Sequence, residues 1–130
     1  MKISNPIKES SFAIYGLGLS GNSTLRFLKK NNNKKIYTWD DKKNKNNKKK
    51  FNLFQKILDD VDYIIVSPGI NIQKTKFKKK LFINKKKIIT DLDIFYMQKI
   101  PIKSIVITGT NGKSTACKLT QHIFKTNGLD

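Results

Sequence analysis

Arginine is almost missing from this chain. Arg26 stands alone, and every other basic residue is lysine. Base readout and bidentate phosphate grips favour arginine. The scarcity therefore argues against a specific nucleic-acid reader, in spite of a formal net charge of +18. The lysines are interleaved with asparagine, as in "KKNNNKK" (Lys29–Lys35) and "DKKNKNNKKK" (Asp41–Lys50). Lys, Asn and Ile all have A/T-rich codons, so coding composition accounts for their excess together. Weak, salt-labile attraction to polyanions still follows from counterion release.

Cysteine is equally scarce. Cys117 is alone, which excludes an internal disulfide, and it is read as packed under its helix. The single histidine, His122, is read as a partly exposed helix position rather than a catalytic one. Long apolar runs are also missing: none approaches the roughly 18 residues of a membrane span. The first apolar run, "SFAIYGLGLSG", is short, broken by glycines and unlike an export signal. The expectation is a cytoplasmic protein that uses no membrane.

What is present is a chain of 130 residues, 38% hydrophobic, with enough material for one core. Short apolar runs alternate with helical stretches. The runs are Phe12–Tyr15, Lys35–Asp40, Asp62–Ser67 and Lys87–Thr90. Between them lie Ser20–Lys29, a stripe through Phe51, Leu53, Phe54, Ile57 and Leu58, and the basic stretch "KTKFKKKLF". "DLDIFYMQ" follows, with Asp91 and Asp93 in its first turn, where the helix dipole favours acids. Strands without strict alternation point to a parallel sheet covered on both faces. The fold expected is α/β and Rossmann-like. Trp39 is read as packing beside its strand.

A break falls at "QKIPIK" (Gln98–Lys103). After it come a fifth strand, "SIVIT" (Ser104–Thr108), a glycine loop, and a helix to about Thr126 capped by Asn127-Gly128. The boundary is placed near Pro101, with residues 1–100 in one domain and 101–130 beginning a second. One strand and one helix cannot bury themselves, so this second part is expected to be the start of a larger, truncated domain.

Two glycine motifs carry the chemistry. In "GLGLSG", Gly16, Gly18 and Gly21 fit G-x-G-x-x-G between a strand and a helix. The glycines allow a tight turn, close approach of a ligand phosphate and close helix packing, and the helix start offers N–H groups to an anion. Asp40 supplies the acid expected about 20 positions on, with Asp41 beside it. "SPGI" (Ser67–Ile70) ends the third run, where ligands of open α/β sheets sit. The second motif is "GTNGKST", Gly109–Thr115. It is shorter than G-x-x-x-x-G-K-[ST], because Ile107 stands where the first glycine belongs. Its backbone would cradle phosphates, Lys113 would hold the outer ones, and Ser114 or Thr115 would help place Mg²⁺.

Taken in order and at these distances, "FAIYGLGLSG", "WDD", "VSPGI", "TDLDIF" and "IVITGTNGKST" resemble the Mur ligase family of peptidoglycan enzymes. The likeness runs from Phe12 to Thr126. It implies a Rossmann-like domain for the UDP end of the substrate, then the first strand–P-loop–helix unit of an ATP-binding domain. It implies UDP-substrate contacts at Gly18, Leu19, Ser20, Asp40, Asp41, Lys42, Ser67 and Gly69. ATP contacts are implied at Gly109, Thr110, Asn111, Gly112, Lys113, Ser114 and Thr115, with Lys113 catalytic. Ser20 stands where threonine is common, and Asp93 where glutamate is common. The activity implied is ATP- and Mg²⁺-dependent joining of D-glutamate to UDP-N-acetylmuramoyl-L-alanine through an acyl phosphate, by a monomer. The remaining metal ligands and the amino-acid domain of the family fall outside these residues, so the 130-residue chain by itself is expected to be inactive. Three other readings stay open: a different Mur-type ligase, a nicotinamide-dependent oxidoreductase suggested by the first motif alone, and a basic nucleic-acid-binding module.

Overall fold

The computed structural model describes residues 6–98 and 103–129. Contacts divide the chain into two compact units, Met1–Ile100 and Pro101–Asp130. Pro101, where the sequence puts the boundary, lies outside the described residues.

The first unit is an α/β sandwich. A short helix α1 (Pro6–Glu9) leads into β1 (Phe12–Tyr15), α2 (Leu19–Lys30), β2 (Ile36–Trp39), α3 (Lys48–Asp60) and β3 (Tyr63–Val66). A 3-10 turn (Ile72–Lys74), α4 (Lys78–Ile83), a second 3-10 turn (Lys85–Lys87), β4 (Ile88–Ile89) and α5 (Asp91–Met97) complete it. The four strands form one sheet in the order β2-β1-β3-β4, and every pairing is parallel. Helix α1 and the two 3-10 turns are elements the apolar pattern does not announce.

Strand β1 shows why the sheet is covered on both faces. All four of its residues are fully buried. Successive side chains of a strand point to opposite faces, so the strand feeds two cores. Ala13 and Tyr15 join Trp39, Phe54, Leu58, Ile64, Phe77 and Leu81 on one side. Phe12 and Ile14 join Ile7, Leu28, Ile65 and Ile94 on the other. The first core is aromatic, and Phe77 is its hub. Its ring lies 4.7 Å from Phe51, 5.2 Å from Tyr15, 5.3 Å from Phe54 and 5.5 Å from Trp39. Trp39 packs beside its strand as expected and is 4% exposed.

Polar groups pin the ends of the strands. Asn33 is buried; its amide nitrogen donates to the Ile7 and Ser10 carbonyls, and its oxygen accepts from Lys35 N–H. One residue of an apparently low-complexity run thus ties α1, the entry to β1 and the entry to β2 together. At the same end, Asp62 Oδ2 accepts from the Ser11 amide at 2.8 Å and its hydroxyl at 2.7 Å. The Asp62 amide donates back to Ser11 Oγ at 3.0 Å. These bonds, the Ser11 amide first, hold the Asp62 carboxyl below its usual pKa.

In the second unit, α6 (Lys113–Thr126) forms as expected and Asn127 is its C-cap. The fifth strand does not form: Lys103–Gly109 has no regular structure. A strand exists by virtue of the ladder it shares, and among the described residues none pairs with this segment. Ile105 and Val106 are correspondingly 64% and 81% exposed. Cys117, expected to be packed, is exposed for the same reason, as α6 has no buried residue. His122, read as partly exposed, is exposed. No helix among the described residues is long and apolar enough to cross a membrane.

Two outcomes follow for the first unit. Phe77→Ala should cost about 3–5 kcal/mol, the range for truncating a buried Phe, and should lower the urea midpoint sharply. A midpoint within error of the parent would show that Phe77 is not the hub. The second outcome concerns pH. Because the native pKa of Asp62 is depressed, its contribution to stability is present above about pH 4 and is lost as pH falls through the native value. Urea midpoints measured from pH 6 down to pH 3 should therefore fall less steeply for Asp62→Asn than for the parent.

Candidate functional site

Strands β1, β2 and β3 all run the same way, so their carboxyl ends emerge on one edge of the sheet. Three loops leave from there: Gly16–Gly18, Asp40–Asn47 and Ser67–Asn71. Together they line an open cleft of about 630 Å³. Gly18, Leu19, Ser20, Asp40, Asp41, Lys42, Ser67 and Gly69 all border it. The eight residues expected to contact the UDP end of the substrate thus come together from three segments far apart in the chain.

The glycine turn owes its shape to missing side chains. Gly16 has φ +92°, in the left-handed region that favours glycine. A Cβ on Gly21 would lie 1.9 Å from the Gly16 carbonyl oxygen, so helix α2 can approach the end of β1 only with glycine there. A Cβ on Gly18 would meet nothing within 4 Å. That position opens on the cleft.

Gly18 is also the N-cap of α2, and no side chain caps the helix. Helix α3, by contrast, is capped by Asn47, whose oxygen accepts from Lys50 N–H. Helix α5 carries a full capping box between Thr90 and Asp93. The first-turn N–H groups of a helix need acceptors, and together with the dipole they favour an anion. Ser20 sits inside the first turn, not at the cap.

The acidic wall is more rigid than its sequence suggests. Asp40 Oδ2 accepts from Leu17 N–H at 2.8 Å. Its Oδ1 accepts from Lys42 N–H at 3.0 Å and Lys43 N–H at 3.2 Å. The Leu17 bond, followed by those from Lys43 and Lys42, holds the carboxyl below its ordinary pKa. Asp40 therefore joins the glycine turn to the loop after β2, and much of its accepting capacity is used within the protein. Asn44 closes the loop by accepting from Asp40 N–H at 3.0 Å. The buried Ser67 hydroxyl likewise donates inward, to the Gly16 carbonyl at 2.8 Å.

Asp41 is held differently. Its Oδ1 accepts from Trp39 Nε1 at 2.9 Å and its Oδ2 from the Tyr15 hydroxyl at 2.6 Å. The side chain of Asp41 borders the cleft, while both donors come from the aromatic core. Neither donor is visible as a site residue in sequence, because Tyr15 and Trp39 look like core positions and are buried as such. Ile70, the last residue of the "SPGI" turn, also lines the cleft, as does Lys43, which went unnoticed.

In the second unit, Gly109–Thr115 is exposed throughout. Gly109 and Gly112 take positive φ, +148° and +76°. Gly112 is the N-cap of α6, which no side chain caps. Lys113 Nζ donates back to the Gly109 carbonyl and, at 3.2 Å, to that of Thr110. A groove of about 460 Å³ in this unit is lined by other residues, Ile107, Cys117 and Phe124 among them. Among the described residues, no group of three or more His, Cys, Asp or Glu could hold a metal ion.

Comparison with known proteins bears on this arrangement. A family model described as "Mur ligase MurD-like, N-terminal domain" matches residues 10–89, which hold all three loops of the cleft. UDP-N-acetylmuramoylalanine--D-glutamate ligase of Rickettsia prowazekii is 36% identical over 134 residues, covering 97% of this chain and 29% of that protein. The protein of the same name from Aquifex aeolicus is 35% identical, covering 88% of this chain and 25% of its own length. That from Francisella tularensis is 41% identical over 73 residues, covering 55% and 17%. The chain thus spans less than a third of the length of these relatives. No solved structure matches. Through its N-terminal domain, the chain belongs to the MurD-like Mur ligases.

Proposed function

We propose that the cleft of the first unit binds the uridine-diphosphate end of UDP-N-acetylmuramoyl-L-alanine, as part of a ligase that joins D-glutamate to it using ATP. The observation that carries this reading is the pairing of opposites in one cleft. An uncapped helix start with open space at Gly18 lines the same cleft as the carboxylates of Asp40 and Asp41. The helix start suits a diphosphate. The carboxylates repel phosphate and accept hydrogen bonds, so they suit the N–H and O–H groups of a base and ribose. Leu19, 93% exposed at the lip, and Ser20 supply backbone donors, while Lys42 adds a cation. Ser67 and Gly69 form the opposite turn. The names of the relatives point the same way, since each acts on a UDP-linked substrate.

The ATP-binding part of the reading rests on Gly109–Thr115. Its residues fit the nucleotide's phosphates. Two glycines at positive φ turn the backbone, Lys113 is a cation at a helix start, and the Ser114 and Thr115 hydroxyls are hard oxygen donors of the kind Mg²⁺ accepts. The metal would supply charge neutralisation at the phosphates. In the proposed reaction the substrate carboxylate attacks the γ-phosphorus and the bond to ADP breaks. The D-glutamate amine then attacks the acyl carbon, the C–O bond breaks, and phosphate leaves as the nitrogen loses a proton. Lys113 would stabilise charge on the phosphoryl group in flight. The reading requires neither nucleic acid nor a second copy of the chain.

Calorimetric titration of the chain at about 0.15 M salt, where long-range attraction is screened, should show UDP binding more tightly than NADH. Preference for NADH would favour the oxidoreductase reading and overturn this one. Gly18→Ala should weaken UDP about tenfold or more while leaving the urea midpoint nearly unchanged, because its methyl group enters the ligand's space without touching the protein. Gly21→Ala should instead destabilise the fold itself. For the second loop, Lys113→Ala should lower affinity for a fluorescent ATP analogue by about tenfold, the scale of one charge-assisted contact. Unchanged affinity would remove Lys113 from the ATP site.

A further inference from the structure

The Tyr15 hydroxyl sits where three pieces of the cleft meet. The ring is fully buried in the aromatic core, yet its oxygen reaches the far side of the acidic wall. It lies 2.6 Å from Asp41 Oδ2 and 2.5 Å from Thr75 Oγ1. A phenol has one proton, and the carboxylate has none to give, so Tyr15 donates to Asp41. Thr75 then donates to the Tyr15 oxygen, while its own oxygen accepts from Phe77 N–H at 3.2 Å. Thr75 ends the 3-10 turn Ile72–Lys74, which continues from the turn at Ser67–Gly69. Two bonds through one oxygen thus connect the segment leaving β3 to the loop leaving β2. Burial, and then the bond to Asp41, raise the phenol's pKa to about 12, so the donor proton stays in place across the neutral range.

A buried tyrosine hydroxyl needs some partner, and any core carbonyl would serve. This one is spent on the exposed carboxylate that borders the nucleotide cleft. Trp39 Nε1 holds the other oxygen of the same carboxylate. With one donor on each oxygen, the carboxylate plane is set from behind, and its remaining lone pairs are left for a ligand. The diphosphate end of the cleft, at Gly18–Ser20, shares no bond with this network.

We propose that Tyr15 is a positioning residue for nucleoside recognition, acting with Thr75 to fix the Asp41 carboxylate against the base and ribose end of the ligand. The inference rests on the reading of the cleft as a uridine-diphosphate site. It assigns Tyr15 a role in selecting the nucleoside, separate from holding the diphosphate.

The test is calorimetry on the full chain with two probes, UDP and inorganic pyrophosphate, at about 0.15 M salt. Tyr15→Phe should weaken UDP about tenfold and leave pyrophosphate within about twofold, since the lost bond serves the nucleoside end alone. In an Asp41→Ala background the same substitution should change UDP affinity by less than about twofold, because its effect passes through Asp41. Equal loss of both probes would assign Tyr15 to the fold and overturn the proposal; so would additive loss in the double variant, or UDP affinity unchanged in Tyr15→Phe. If Tyr15→Phe does not fold, Thr75→Val removes the other half of the link without touching the core ring, and the same probe split decides. A parent chain that does not prefer UDP to pyrophosphate refutes the nucleotide reading itself. A parent that does, beside a Tyr15→Phe variant that keeps the full preference, refutes only the role of Tyr15.

Discussion

The close approach of α2 to the end of β1 is the constraint from which the rest of the site follows. A methyl group on Gly21 would sit 1.9 Å from the Gly16 carbonyl oxygen, far inside any van der Waals contact. With both side chains absent, the helix start lies directly over the strand end. The Gly16 carbonyl is then free to accept from Ser67, which brings in the loop after β3. The Leu17 amide is turned toward Asp40, which brings in the loop after β2. Three strand ends are thereby locked around one point, and the uncapped first turn of α2 is left facing the space between them. Backbone geometry sets the cleft, and side chains then decorate it.

Much of this was legible in the sequence because its signals are local. A strand, a glycine turn and a helix are contiguous in "FAIYGLGLSG", and the acid after β2 falls at the expected distance. Apolar runs without alternation indicated a sheet covered on both faces, and the two cores behind β1 bear that out. What sequence did not reveal is non-local or ambiguous in kind. Tyr15 reads as one more core aromatic, since nothing along the chain says that its hydroxyl ends beside Asp41, 26 residues away. The asparagines are the clearer case. Coding composition explains why they are abundant, but not where they are used. Asn33 joins three segments, Asn44 closes the Asp40 loop, and Asn47 and Asn71 cap the elements they precede. Short side chains that both donate and accept are the ones that satisfy strand entries and helix starts. A biased composition was put to structural use at particular positions.

The segment Ser104–Thr108 shows the opposite limit. Its apolar pattern is as strand-like as that of Tyr63–Val66, yet the one forms no ladder and the other is central. Hydrophobic patterning reports that a segment needs burial and does not say what buries it. Tyr63–Val66 has β1 on one side and β4 on the other. Ser104–Thr108 has no strand beside it among the described residues, and its Ile105 and Val106 lie exposed. Helix α6 forms regardless, because a helix satisfies its backbone internally. The local half of a strand–loop–helix unit is thus encoded in these residues, and the cooperative half is not.

The charge balance can be reconsidered in the same physical terms. The chain carries a net charge of +18 and Lys42 and Lys43 border the first unit's cleft, yet the groups that touch the cleft most rigidly are two aspartates. Diffuse lysine charge raises the local concentration of any anion but cannot orient it, and it is screened beyond about 10 Å at ordinary salt. Orientation requires fixed groups of opposite sign at the two ends of the ligand. Asp40 is fixed by three backbone amides, and Asp41 by a tyrosine and a tryptophan. The helix start borders the same cleft, and no side chain caps it. A ligand carrying phosphate at one end and hydrogen-bond donors at the other fits in one direction and not the reverse. On the proposed reading, the lysines gather UDP-linked substrate, and the two rigid carboxylates decide which way round it lies.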